Sequence, residues 1–118
     1  MKIKYSDKKT EKMCEDIEYA QKHMERRFAL KLNAKINFIR QSDSYADIYA
    51  YRPLRCHIGK GNYKDHILMD VDGTKCSYRI VARLIDNNGN VISFDDNFFN
   101  QFTEIEIINI KEVTNHYE

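Results

Sequence analysis

The sequence predicts an α+β fold, in which an N-terminal strand and helices pack on an antiparallel sheet of four or five strands. Two observations predict it. Residues 7–42 contain neither proline nor glycine and repeat apolar residues at helical spacing. Several segments after Pro53 instead alternate apolar and polar residues, as strands do. Because the helices precede the strands rather than alternate with them, one α+β domain spanning residues 1–118 is expected.

The first part of the chain is predicted to contain a short strand and a long helix. Residues 1–5 are typical of a strand, and residues 7–15 of a separate turn or short helix that ends near residues 15–17. The long helix is best defined over residues 18–41. Its apolar face follows steps of four, four, four and three: Met24, Phe28, Leu32, Ile36 and Ile39.

The second part is predicted to form the sheet. Residues 42–53 are an irregular or short helical connector, and four strand-like segments follow it: residues 54–58, 66–71, 76–86 and 104–111. The tight-turn signal at residues 72–73 predicts that two of the strands are antiparallel neighbours. The last segment alternates with a slip at Ile108, and a turn near residue 86 opens a loop, residues 87–103, to which the sequence assigns no function.

The net charge of +1 hides a strong asymmetry between the two halves of the chain. Residues 1–64 hold 15 lysines and arginines against 8 acidic residues, a balance of +7, and residues 65–118 have a balance of −6. A basic half of this size attracts polyanions, which favours a nucleic-acid partner. The alternative is two oppositely charged surfaces that only keep the protein solvated.

Composition excludes several other classes of protein. No apolar run approaches the roughly 20 residues that span a bilayer, and the opening residues lack the apolar segment of a signal peptide. Three widely spaced cysteines indicate reduced thiols and a cytoplasmic location. The absence of C-x-x-C and H-x-x-x-H spacings predicts no metal site, and no cofactor is expected.

A row of cations follows the predicted long helix. Arg27, Lys31 and Lys35 lie four residues apart, and further cations widen the row: Lys22, Arg26 and Arg40. A carboxylate four residues before a cation stabilises a solvated helix by pairing with that cation. Five of these six cations lack such a carboxylate. The row is therefore a candidate phosphate-facing surface, against the simpler interpretation of a solvated outer face.

The predicted strands and the C-terminus supply groups that suit metal-free RNA cleavage: His57, Lys60, Arg79, His116 and Tyr117. Such cleavage requires a base for the 2′-hydroxyl, cations at the pentavalent phosphate and an acid for the leaving oxygen. Histidine suits either proton role, arginine and lysine supply the cations, and tyrosine donates a proton or stacks on a base.

Each of these residues also has a simpler structural interpretation. His57, at a strand end, is suited to a structural hydrogen bond, and Lys60, between two glycines, to a solvated loop. Arg79 alternates with apolar neighbours, so it is expected to face away from the core and to pair with Asp70 across the sheet. His116 and Tyr117 lie close to the chain end, where fraying is expected.

The chain resembles the RelE/HigB family of bacterial type II toxins, small endoribonucleases that cut mRNA on the ribosome. The resemblance rests on the order of strand, helices and strands and on several segments. These are residues 7–12, residues 57–61, the pair Tyr78-Arg79, and residues 103–108 followed by His116-Tyr117. The chain departs from the family pattern at Ile58, Asn62 and Tyr63 and in its Asn-His-Tyr-Glu ending.

The resemblance implies a cleavage site that contains His57, Lys60 and Arg79 and that His116 or Tyr117 completes. Further cations are expected to contact RNA: Arg27, Lys31, Lys35, Arg55, Lys64 and Arg83. The implied partners are mRNA on the ribosome, with 16S rRNA contacts, and a HigA-like antitoxin carrying a helix-turn-helix domain. Operator DNA would be bound only through that antitoxin, and no membrane partner is expected.

Two other functions remain open at this point. A ParE-like toxin of the same fold would poison gyrase by binding, although ParE proteins lack the set of His57, Lys60 and Arg79 that is present here. A catalytically inactive module that binds RNA or an antitoxin is favoured if the five candidate side chains do not cluster.

Overall fold

The computed structural model describes residues 1–115 and has the predicted α+β architecture. Four α-helices occupy the first half: α1 (Lys8–Glu15), α2 (Ile17–Gln21), α3 (Arg26–Gln41) and α4 (Tyr45–Ala50). Five strands form one sheet: β1 (Lys2–Tyr5), β2 (His57–Ile58), β3 (Ile67–Asp70), β4 (Arg79–Ile85) and β5 (Ile107–Thr114). No helix among the described residues is long and apolar enough to cross a membrane.

The sheet is mixed rather than wholly antiparallel. Its strand order is β1-β5-β4-β3-β2, and every pair is antiparallel except β1 and β5. These two run parallel, with Ile3 opposite Ile108. The prediction of a wholly antiparallel sheet is therefore wrong at this edge. Parallel neighbours require a long connection in the chain. β1 and β5 meet this requirement because all the other elements lie between them.

The helices begin and end largely where the sequence indicates. Asp7 caps α1 by accepting from the Thr10 amide, and Asp16 caps α2 by accepting from the Tyr19 amide, which confirms a break near residues 15–17. The expected continuous helix over residues 18–41 is wrong, because a turn separates α2 from α3. Met24 lies in that turn and is still buried, so its apolar spacing concealed the break.

One face of the sheet forms the core with α3. Leu32, Ile36 and Ile39 are fully buried, which confirms the predicted apolar face of this helix. They pack with alternate residues of the central strands: Ile67, Met69, Ile80, Ala82, Leu84, Ile108 and Ile110. Each such side chain contributes about 1.5–3 kcal/mol on burial. The remaining residues of these strands face away from the helices and form what we call the outer face: Leu68, Asp70, Arg79, Val81, Arg83 and Asn109.

A β-bulge in β5 sets which side chains reach the outer face. Ala82 pairs with Ile110 and Val81 pairs with Glu112, so Lys111 is an extra residue in the strand. The alternation therefore slips at Lys111 within the strand, in addition to the slip expected at Ile108, before which Ile105 is buried as well. As a result, Ile110 and Val113 both pack on the core side.

The long loop between β4 and β5 has a structural function that the sequence did not indicate. Phe98 is fully buried and lies 5.9 Å from the Tyr45 ring of α4, measured between ring centroids. The Phe94 amide donates to Asp65 Oδ1, and the Tyr45 amide donates to the Ile105 carbonyl. These contacts fix α4, and with it the connector that leads into β2.

We predict that Gly59→Ala destabilises the protein whereas Gly61→Ala does so less. A Cβ at residue 59 would lie under 3.0 Å from the backbone carbonyl oxygen of Tyr63, which has no flexible side chain to yield. Overpacking of this kind costs about 1–3 kcal/mol. Residue 61 has open space, and only its φ of +58° opposes a side chain, at about 1–2 kcal/mol. Urea unfolding of both variants measures the difference, and equal losses would contradict the steric argument.

Candidate functional site

A fully buried carboxylate organises the end of β3. Asp70 Oδ1 lies 3.0 Å from Arg79 Nε, and Asp70 Oδ2 accepts from Arg55 Nε at 2.7 Å. The Asp70 carbonyl accepts from Lys35 Nζ at 3.1 Å, and the same ammonium donates to the Pro53 carbonyl at 2.8 Å. One acidic residue therefore joins α3, the connector before β2, and the β3–β4 pair.

Arg79 lies inside this cluster rather than at an open surface. Only 5% of the residue is exposed, and its Nη1 also donates to the Cys76 and Tyr78 carbonyls. The structure confirms the simpler interpretation of the sequence, a cross-strand pair with Asp70. Because the guanidinium is committed to protein groups, it positions Asp70 and does not present a free fork to a phosphate.

Arg55 is the cation of the cluster that reaches the solvent. Its backbone is left-handed, with φ 45° and ψ 45°, a conformation that strains a non-glycine residue. Its Nε is held by the buried Asp70, yet 58% of the side chain remains exposed. The buried carboxylate of Asp70, which holds Nε, therefore orients the solvent-accessible part of the Arg55 guanidinium.

His57 follows Arg55 on the outer face and is exposed. Its Nδ1 lies 2.9 Å from the Arg55 carbonyl oxygen. A carbonyl only accepts hydrogen bonds, so Nδ1 carries the proton and Nε2 of the neutral ring keeps a lone pair. This arrangement orients the ring and leaves Nε2 suited to act as a general base.

Arg55 and His57 share a cleft of about 610 Å³ on the surface of the molecule. Its lining combines cations, a histidine and two tyrosines: Tyr49, Tyr51, Arg52, Arg55, Cys56 and His57. Tyr49 is 49% exposed and Tyr51 is 37% exposed. Exposed aromatic rings beside arginines are the combination that binds single-stranded nucleic acid, since rings stack on bases and cations attract phosphates.

A second histidine on the outer face was missed in the sequence. His66 is buried, its Nδ1 donates to the Lys64 carbonyl at 2.8 Å, and its Nε2 accepts from Arg83 Nε at 2.8 Å. Lys111 Nζ lies 3.5 Å from the same Nε2. Burial lowers the pKa of His66 below its usual value, and the charges of Arg83 and Lys111 lower it further. The ring is therefore a neutral acceptor for two cations.

A signal for His66 was present in the sequence. The pairing of Asp70 with Arg79 fixes the register of β3 and β4. Following this antiparallel register back from Asp70 and forward from Arg79 places His66 opposite Arg83. The tight turn expected at residues 72–73 concealed this, because the connection between the strands in fact spans residues 71–78.

The other predicted RNA contacts are dispersed. Lys31 is exposed on α3, Lys64 is exposed beside Asp65, and Arg27 is exposed and paired with Glu25 at 3.2 Å. Lys35 corrects the prediction of a fully exposed helical row, since it is buried and bound to two carbonyl groups.

Lys60, a further predicted catalytic residue, is not among the residues that line the cleft. Lys60 is exposed, and the amide of the preceding Gly59 continues the pairing with the His66 carbonyl. Alternate residues of an extended segment face opposite sides, so Lys60 follows Ile58 and not His57. His116 and Tyr117 lie outside the described residues. Among residues 1–115, no group of three or more His, Cys, Asp or Glu is placed to hold a metal ion.

Comparison with protein-family models, with curated proteins and with solved structures found no match to this chain. The resemblance to RelE/HigB toxins therefore stays a prediction.

We predict that Asp70→Asn lowers the free energy of unfolding by about 3–5 kcal/mol, because it leaves Arg79 as a buried charge without its counter-ion. Urea unfolding followed by circular dichroism measures the loss. Asp72→Asn is the matched control: Asp72 is half-buried two residues further on and is in no ion pair among the described residues. A similar loss in both variants would contradict the assigned role of Asp70.

We predict that His66 makes the protein less stable in mild acid. The folded pKa lies below the unfolded value of 6.5, so in that interval the unfolded chain binds more protons and stability rises with pH. The contribution is complete above pH 6.5 and is lost as the pH falls through the folded pKa.

Unfolding free energies measured in urea from pH 4.5 to 7.5 test this role of His66. His66→Gln keeps an acceptor for Arg83 but does not titrate, so its profile should be flatter than that of the unsubstituted protein. His57→Gln removes a histidine that contacts neither Arg83 nor Lys111 and is the matched control. Parallel profiles for the unsubstituted protein and His66→Gln would exclude the predicted pKa shift.

Proposed function

We propose that the chain is the toxin of a bacterial type II toxin–antitoxin pair, an endoribonuclease that cuts mRNA on the ribosome by acid–base chemistry without a metal. One observation carries the proposal: a single cleft is lined by His57, whose Nδ1 is engaged by the Arg55 carbonyl, by the Arg55 side chain anchored on Asp70, and by two exposed tyrosines. The cationic first half of the chain also favours a polyanionic substrate.

The proposed reaction uses the RNA's own 2′-hydroxyl as the nucleophile. His57 Nε2 removes its proton, the 2′-oxygen forms a bond to phosphorus, and the bond from phosphorus to the 5′-oxygen breaks. The leaving oxygen takes a proton from an acid, so the products are a 2′,3′-cyclic phosphate and a 5′-hydroxyl. Arg55 stabilises the additional negative charge on the pentavalent phosphate.

The remaining residues take supporting roles in the proposal. Arg79 is a positioning residue, because it holds the carboxylate that orients Arg55. His116 or Tyr117 supplies the acid, as the family resemblance implies, whereas Lys60 does not line the cleft and is assigned no part in the reaction. A HigA-like antitoxin with a helix-turn-helix domain is the proposed inhibitor.

A second function, RNA binding without cleavage, is favoured by a specific observation. Arg79 is buried against Asp70, and Lys60 does not face the side of His57. Two of the three residues expected at the cleavage site are thus not at the cleft among the described residues. The two functions differ in whether His57 is required for a chemical step.

We predict that His57→Ala lowers the rate of mRNA cleavage by about 10²–10⁴-fold, the usual contribution of a general base. The assay is primer extension on a defined mRNA, in a reconstituted translation mixture with and without ribosomes. The 5′ ends of the fragments should accept label from polynucleotide kinase directly, as 5′-hydroxyl ends do.

His23→Ala is the control, because His23 is an exposed histidine that lies between α2 and α3, away from the cleft. Equal cleavage by His57→Ala and the unsubstituted protein would exclude His57 as the base. Growth arrest with intact mRNA would refute the nuclease proposal and favour a ParE-like activity. Intact mRNA together with RNA binding would favour the inactive module.

A further inference from the structure

We infer that the RNA strand next to the cleaved nucleotide lies in a groove that leads from His57 to Lys31 on α3, an inference that rests on the proposed function. The groove is formed by two adjoining cavities of about 610 and 440 Å³. Both cavities are lined by Tyr51, Arg52 and Arg55, so the surface continues from one into the other. We call these three residues the groove centre.

The groove centre offers a stacking platform. The rings of Tyr51 and Phe38 stack at 3.9 Å between centroids with an interplanar angle of 18°. Phe38 lies on the buried side of α3 and supports Tyr51, which remains 37% exposed. A ring that is rigid and accessible suits stacking against a base, a contact worth about 1–3 kcal/mol for each base.

Cations line the groove centre and the end of the groove at α3. Arg52 and Lys31 are exposed, and Arg55 is held toward the groove by Asp70. Two acidic residues also line the second cavity. Asp70 is compensated by Arg55 and Arg79, whereas Asp72 stays half-buried. Four cations line the two cavities, namely Lys31, Lys35, Arg52 and Arg55, against these two carboxylates, so the groove has a net positive charge, which suits consecutive phosphates.

The position of the groove favours single-stranded RNA over another anionic ligand. It begins at the proposed base His57 and is lined by both aromatic and cationic residues. A strand of nucleotides offers the matching combination of bases and phosphates. An acidic peptide would use the cations but would leave the exposed face of Tyr51 without a stacking partner.

The test is binding of a fluorescein-labelled 12-nucleotide 2′-O-methyl RNA, which lacks the attacking hydroxyl and is not cleaved. We expect Lys31→Gln with Arg52→Gln to weaken binding and to reduce the slope of log Kd against log salt by about 1.4, since each contact with a single strand contributes about 0.7. Tyr51→Leu should weaken binding about tenfold with an unchanged slope.

Lys2→Gln with Lys4→Gln is the matched control. It removes the same charge from exposed positions on β1, the sheet edge opposite β2, and should leave the slope unchanged. The groove is contradicted if the unsubstituted protein binds the RNA and the groove variants show the same affinity and salt slope as this control. The strand then does not follow the groove, but the proposed nuclease function still stands.

Acidic-peptide competition and RNA cleavage distinguish the other outcomes. Displacement of the RNA by a poly-glutamate peptide of equal length, at equal concentration and salt, would overturn the choice of RNA. A protein that cleaves no mRNA but whose groove variants lose RNA binding would refute the nuclease and keep the groove. Absence of RNA binding by the unsubstituted protein at 50 mM salt would overturn the groove, whereas the nuclease proposal is tested separately by the cleavage assay with ribosomes.

Discussion

The buried carboxylate of Asp70 is the constraint on which the candidate site depends. Its two oxygens meet Arg79 and Arg55, and its backbone carbonyl meets Lys35 of α3. An isolated buried carboxylate is costly, and the surrounding cations offset that cost only while all of them keep their geometry. The strained backbone of Arg55 is maintained by the same anchor. Stability and the orientation of the cleft therefore share one set of contacts.

This arrangement divides the basic residues into two kinds. Arg79 and Lys35 are internal and hold the frame, whereas Arg55, Arg52 and Lys31 are accessible and remain available to a ligand. The count of positive charges along the chain therefore overstates the charge that a polyanion meets. The histidines divide in the same way: His66 is neutral and enclosed by two cations, and His57 is exposed with Nε2 available.

Patterns that act within a single element were predictable from the sequence. The apolar face of α3, the break after α1 and the strands themselves follow from local spacing and capping. Features that depend on two elements meeting were not. The burial of Lys35 requires the carbonyls of Pro53 and Asp70, which lie 18 and 35 residues away in the chain. Spacing along α3 does not distinguish it from Lys31. The parallel pairing of β1 with β5 is likewise a long-range contact with no local signature.

The extra residue in β5 is one that the strand can lose without changing which side its neighbours occupy. Lys111 stands between Ile110 and Glu112 as the unpaired residue of the bulge, and Glu112 and Thr114 lie opposite Val81 and Arg79 on the outer face. If Lys111 were deleted, Glu112 would follow Ile110 directly, regular pleating would be restored, and every later residue would keep its partner and its side. What the bulge contributes is therefore the Lys111 side chain itself, whose ammonium lies 3.5 Å from His66 Nε2.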